Sequence, residues 1–106
     1  MAASFLAASL ATITASTETD LLQPGAGAEH VILGIQVYNY SGSSSTVELL
    51  YTNSTNSLNG YYFKGALANG DCVHFDTKQI LSNQQKLRAK ATQSDTSFVV
   101  SYLEKT

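Results

Sequence analysis

The sequence predicts an all-β protein, an antiparallel β-sandwich of about seven or eight short strands with an N-terminal arm. Three observations lead there. Apolar and polar residues alternate with a period of two through most of the chain, turn-forming clusters recur roughly every eight to twelve residues, and no long amphipathic helical pattern is present. A length of 106 residues fits one domain. Such a chain buries roughly two-thirds of the surface its unfolded form exposes, enough for a modest core. The expected division is an apolar arm, residues 1–10, and a sandwich domain, residues 11–106.

Residues 1–10 (MAASFLAASL) are small and apolar, with Phe5, Leu6 and Leu10 as the bulky members. Their spacing groups them loosely on one side of a helical turn, but an edge strand drawn out into an arm fits as well. A segment this apolar is expected to lie on its own domain or on a neighbouring subunit. It looks like a signal peptide only in part. It has no Lys or Arg, and Ser and Ala dilute its apolar stretch, so an intracellular protein is expected. Residues 11–19 (ATITASTET) read as a Thr-rich strand anchored by Ile13, and residues 20–23 continue it after a kink until Pro24. The GAGA at 25–28 is no phosphate loop, because no Lys-Ser/Thr follows and it leads into a strand.

Residues 30–40 (HVILGIQVYNY) form the longest apolar run and the expected central strand. Simple alternation puts Val31, Leu33, Ile35 and Val37 on one face, with Ile32, Gly34, Gln36 and Tyr38 on the other. After a Ser/Gly segment, residues 46–52 alternate again, with Val47, Leu49 and Tyr51 inward and Thr46, Glu48 and Thr52 outward. Residues 53–60 are a polar loop. Its Asn53-Ser54-Thr55 matches a glycosylation acceptor, a motif with meaning only in a secreted eukaryotic protein. In residues 61–67 alternation puts Tyr61, Phe63 and Leu67 on one face and Tyr62 and Lys64 on the other. Asn69-Gly70-Asp71 is expected to make a tight hairpin turn. Residues 72–75 then run back with Val73 and Phe75 inward, and Ile80-Leu81 make a short apolar step. Leu87, Ala89 and Ala91 alternate with Arg88, Lys90 and Thr92, and a last strand, residues 97–104, closes the chain.

Charged residues make up 13% of the chain, about half the usual level, and Ser, Thr, Asn and Gln take their place. A polar, weakly repulsive coat of this kind suits a protein packed against others. Net charge is −2, and only Lys86, Arg88 and Lys90 cluster. Their alternation matches the solvated face of one strand, so no nucleic-acid partner is expected. No apolar run approaches the ~20 residues that span a bilayer, so no membrane partner is expected either. Cys72 is the single cysteine, which excludes an intrachain disulfide. Cys72 and His74 share a strand face but lack the further ligands of a zinc site, and a buried or half-buried polar role at a strand edge is expected. Asp71 and Asp76 sit at strand ends, where Asp caps turns. The six tyrosines offer stacking faces for a sugar, but most fall at core positions. No nucleophile motif such as G-x-S-x-G is present, and neither catalysis nor a cofactor or metal is expected.

The order of several segments resembles small β-sandwich virion proteins of tailed bacteriophages. The matching segments are TITAST (12–17), QPGAGAE (23–29), VILGIQVYNYSGSSSTVEL (31–49), LANGD (67–71), KQILSNQQKLRAKA (78–91) and SFVVSYLE (97–104). The resemblance implies a structural role in the virion, with no active site to carry over. Some members are capsid cement or decoration proteins, commonly trimers, which bind the outside of the major capsid protein lattice. This chain, made in the host cytoplasm, would then sit on the capsid surface, with Phe5, Leu6 and Leu10 as its contact with a neighbouring subunit. Other members sit in tails or baseplates. That placement implies a receptor- or glycan-binding module centred on exposed tyrosines such as Tyr62.

Overall fold

The structure is a computed structural model that describes residues 3–10, 12–76 and 78–105; the side chains of residues 3–5, 9 and 10 lie outside it. Nine strands are described: β1 (Ala3–Leu10), β2 (Thr19–Leu22), β3 (Glu29–Asn39), β4 (Ser45–Thr52), β5 (Leu58–Leu67), β6 (Cys72–Phe75), β7 (Gln79–Leu81), β8 (Lys86–Ala91) and β9 (Thr96–Lys105). They form two antiparallel sheets packed face to face. One runs β1-β9-β3-β6, with β7 also paired to β3, and the other runs β2-β8-β4-β5. β6 and β7 both lie along β3, at its two ends, and act as one interrupted strand. The pairs β1–β9, β2–β8, β3–β6/β7 and β4–β5 are those of one long hairpin rolled up on itself, which is a jelly roll.

The core lies between the sheets. Ile32, Ile35, Val37, Val47, Leu49, Leu81, Leu87, Phe98 and Val100 are all fully buried there, and each contributes about 1.5–3 kcal/mol by leaving water. Leu87, Ala89 and Ala91 alternate inward as expected. β3 is central, but its phase changes. The pairing with β9 shifts between Ile32 and Gly34, so Leu33 is an extra residue and both Ile32 and Ile35 face the core. Strict alternation is therefore wrong for the first half of this strand, because a bulge turns the side chains over. β5 carries the same correction. Leu49 pairs with Phe63 and Leu50 with Tyr61, leaving Tyr62 as the bulged residue. Tyr62 and Phe63 both pack on the core cluster and Tyr61 is exposed, so the two tyrosines have exchanged the faces that alternation gave them.

Two connections also differ from the sequence reading. Residues 12–18 are irregular rather than a strand; Ile13 still reaches the core, and its N–H donates to the Ser94 carbonyl at 3.1 Å. The turn at Gly70 (φ +83°) has the expected backbone, but it joins β5 of one sheet to β6 of the other. It is a corner between sheets. Asn39, fully buried at the end of β3, holds that corner to the neighbouring one. Its Nδ2 donates to the carbonyls of Leu67 (2.8 Å) and Ser43 (2.7 Å), and its Oδ1 accepts from the N–H and hydroxyl of Ser41. The Gly70 N–H donates to the Asn39 carbonyl at 2.7 Å, and the Asn39 N–H donates to Asp71.

Candidate assembly surface

The arm expected at residues 1–10 is built into the fold over the described part. β1 pairs with β9 without a register shift, from Ala3 opposite Lys105 to Leu10 opposite Phe98, and forms the outer strand of its sheet. Of the three expected contact residues, Leu6 is 41% exposed. The side chains of Phe5 and Leu10 lie outside the described residues. The loose helical grouping of the three does not apply to a strand, in which residues 6 and 10 share one parity and residue 5 has the other.

The opposite rim of the sandwich, where β5 approaches β6 and β7, carries an aromatic groove of 320 Å³ lined by Tyr51, Asn59, Gly60, Tyr61, Tyr62 and Gln79. Tyr62 meets the Phe75 ring edge-on at 6.3 Å, and Phe63 lies tilted against it at 5.2 Å. Burial pushes the Tyr62 phenol above its ordinary pKa. Tyr61 keeps an exposed ring, with the Lys64 ammonium 5.0 Å from its centre. The Tyr51 hydroxyl lies within donating distance of two acceptors, the Gln85 side-chain oxygen at 2.8 Å and the Ile80 carbonyl at 3.0 Å, which fixes one wall. No alternation rule brings these residues together. The two bulges of β5 place them.

The basic trio of β8 is committed within its own sheet. Lys86 Nζ lies 3.0 Å from Asp20, and Arg88 bridges Glu18 and Asp20 at 2.6 Å each. Lys90 stands opposite Glu48, which stands opposite Lys64 on its other side. Burial raises the Asp20 carboxyl pKa, but hydrogen bonds and charge from Lys86 and Arg88 outweigh it and hold the group below its ordinary value. These cations face acids, and the Lys86 and Arg88 side chains are only 11% and 13% exposed, so these two are covered by their ion pairs rather than forming the solvated face expected. Cys72 and His74 are exposed rather than half-buried, since β6 lies at the sheet margin and turns them outward. His74 approaches Asp76 at 3.6 Å. Among the described residues no group of three or more His, Cys, Asp or Glu is placed to hold a metal. None of these forms a helix long and apolar enough to cross a membrane.

Asn53 is occupied by its own turn, where its Oδ1 accepts from the N–H groups of Thr55 and Ser57. His30, buried on β3, makes a 3.0 Å contact from Nε2 to Glu104, and its Nδ1 has no hydrogen-bond partner among the described residues. No protein-family model matches this sequence, and no curated protein is significantly similar to it. Solved structures share its fold along nearly all of its length, two of them at a TM-score of 0.60. One is a chain of the disulfide-linked pili of Bacillus endospore appendages, with 8% identity over 99% of this chain and 87% of that one, at a TM-score of 0.60. The other is a chain of the acid-stable capsid of Helicobacter pylori bacteriophage KHP30, with 12% identity over 98% of this chain and 87% of that one, also at 0.60. The likeness is one of fold. Fold alone assigns no activity, so function has to be argued from surfaces.

Proposed function

We propose that this chain is a structural protein of a bacteriophage virion, and specifically a capsid cement or decoration protein. In this reading it binds the outer surface of the major capsid protein lattice and stabilises it, without catalysis, cofactor, nucleic acid or membrane. The observation that carries the proposal is the jelly roll shared, over nearly the whole chain, with a chain of a phage capsid. The low charge of the surface and the exposed Leu6 on an outer strand support it. Interfaces of ~800 Å² per partner, repeated by lattice symmetry, are enough to hold such a subunit. Phe5, Leu6 and Leu10 are the proposed contacts, and a trimer is the assembly that the sequence resemblance implies.

The test is to image and heat virions made with and without the protein. Expected are added density where capsid subunits meet and a higher temperature of genome release when the protein is present. Particles of identical appearance and heat resistance would end the proposal. A second reading, a receptor- or glycan-binding module of the tail, is favoured by one feature, the groove beside Tyr61. Binding of the protein to a glycan array, lost on Tyr61→Ala, would support that reading over the first.

A further inference from the structure

The chain has two Asn-Gly steps, Asn59-Gly60 and Asn69-Gly70. Such a step can modify itself, because glycine has no side chain to keep its backbone nitrogen away from the preceding asparagine amide. Steric access is alike at the two sites. Both asparagines are exposed, and a side chain starting at either glycine would meet no described atom within 4 Å beyond its chain neighbours. Their hydrogen bonds differ. At the second step the Gly70 N–H donates to the Asn39 carbonyl at 2.7 Å, and the Asn69 Oδ1 accepts from the Gly42 N–H at 2.9 Å. Nitrogen and amide are thus each held apart by a different residue. At the first step, among the described residues, no hydrogen bond holds the Asn59 side chain. Tyr51 stands opposite Gly60 and Thr52 opposite Leu58, so Asn59 is the extra residue of a bulge, left out of the ladder. β5 is also the outer strand of its sheet, paired on one side only, and such positions open locally at little cost.

We propose that Asn59 is a modification site, converting without any enzyme to aspartate and isoaspartate at the rim of the aromatic groove. The Gly60 nitrogen gives its proton to solvent base and attacks Asn59 Cγ. The new N–Cγ bond closes a five-membered succinimide, and the side-chain nitrogen takes up a proton and leaves as ammonia. Water then opens the ring. Breaking the bond from nitrogen to Cγ gives aspartate. Breaking the bond from nitrogen to the main-chain carbonyl carbon gives isoaspartate, in which the chain runs through the former side chain. Either route consumes one water and releases one ammonia, with nothing oxidised or reduced. Isoaspartate lengthens the backbone by one carbon, which a bulge on an outer strand accommodates more easily than a regular ladder does. The product alters the groove. Asn59 lines it with Tyr51, Gly60, Tyr61, Tyr62 and Gln79, none of them charged. Conversion puts a carboxylate among them, on the strand whose Lys64 ammonium lies over the Tyr61 ring, and a neutral groove becomes an acidic one as the protein ages.

The test follows the folded wild type over time at mildly alkaline pH by peptide mapping and mass spectrometry, with an isoaspartate-specific methyltransferase to report the rearranged product. Asn59 is expected to convert roughly tenfold faster than Asn69, because two hydrogen bonds must open first at Asn69. In concentrated urea, where those bonds are gone, the two rates should converge. Gly60→Ala should slow conversion at Asn59 and leave Asn69 as it was. A folded protein in which Asn69 converts as fast as Asn59 overturns the proposal. So does an Asn59 that stays intact in the folded protein while the unfolded chain converts, or one that converts at an unchanged rate in Gly60→Ala. The wild-type comparison of folded with unfolded chain stands by itself if the variant fails to fold.

Discussion

Asn39 is fully buried, and an amide so placed leaves partners unsatisfied at about 1–3 kcal/mol each if it is replaced. Its Nδ2 satisfies two carbonyls from two different sheet crossings. Asn39→Asp keeps the shape but removes both donors and buries a carboxylate. We expect it to lower unfolding free energy by about 3 kcal/mol or more, read from the urea midpoint at unchanged m-value. Asp20 gives a smaller, pH-dependent effect. Its folded pKa is depressed, so its contribution is fully present above the ordinary carboxylate range and is lost as pH falls through the folded value. The group is largely exposed, so solvent screens the effect. Melting curves across pH should show wild type above Asp20→Asn at neutral pH, with the gap closing in acid. Asn39 was not legible in the sequence. It reads there as the polar end of a strand, and only the meeting of two corners gives it partners.

β1 and β9 show what an element does that its residues do not. Residues 1–10 read as an arm or an edge strand, and the edge strand is what the described part forms. β9 lies between β1 and β3, so removing residues 1–10 would make an inner strand into an edge. We expect that deletion to destabilise the fold by several kcal/mol and to promote aggregation, seen as a lower melting temperature and rising light scatter. A deletion with unchanged melting would show that β1 contributes little to the sandwich. Strand positions elsewhere were legible because their alternation is local, as in β8, where Leu87, Ala89 and Ala91 go inward. The phase was lost at Leu33 and Tyr62, because one extra residue reverses the facing of everything beyond it, and Thr52, expected outward, is buried at the end of β4. Gly34, an isolated glycine beside the first bulge, is a local signal of one, whereas Tyr62 at the second carries none. The exposed Tyr61 groove was missed for that reason.

At the scale of the whole molecule, the first and last strands pair along their full length, and most connections cross from one sheet to the other. Such long-range pairing makes folding slow compared with helical proteins of this size, because loops must close before contacts repay them. The same topology places one unprotected edge at β1 and an aromatic groove at the far rim, near β5 and β7. The virion proposal thus uses a different part of the surface from the glycan reading, and the virion and glycan-binding measurements can be scored separately.

The sequence by itself determined the all-β class, the approximate strand positions, the low charge, and the absence of any recognisable catalytic motif, since period, composition and turn chemistry are local properties. Tertiary structure alone decided which strands are edges, where the bulges turn side chains over, and which acids meet Lys86 and Arg88. Those outcomes depend on contacts between residues far apart in the chain, as when Glu18 and Asp20 reach Arg88 across the pairing of β2 with β8. A one-dimensional pattern carries no record of such partners.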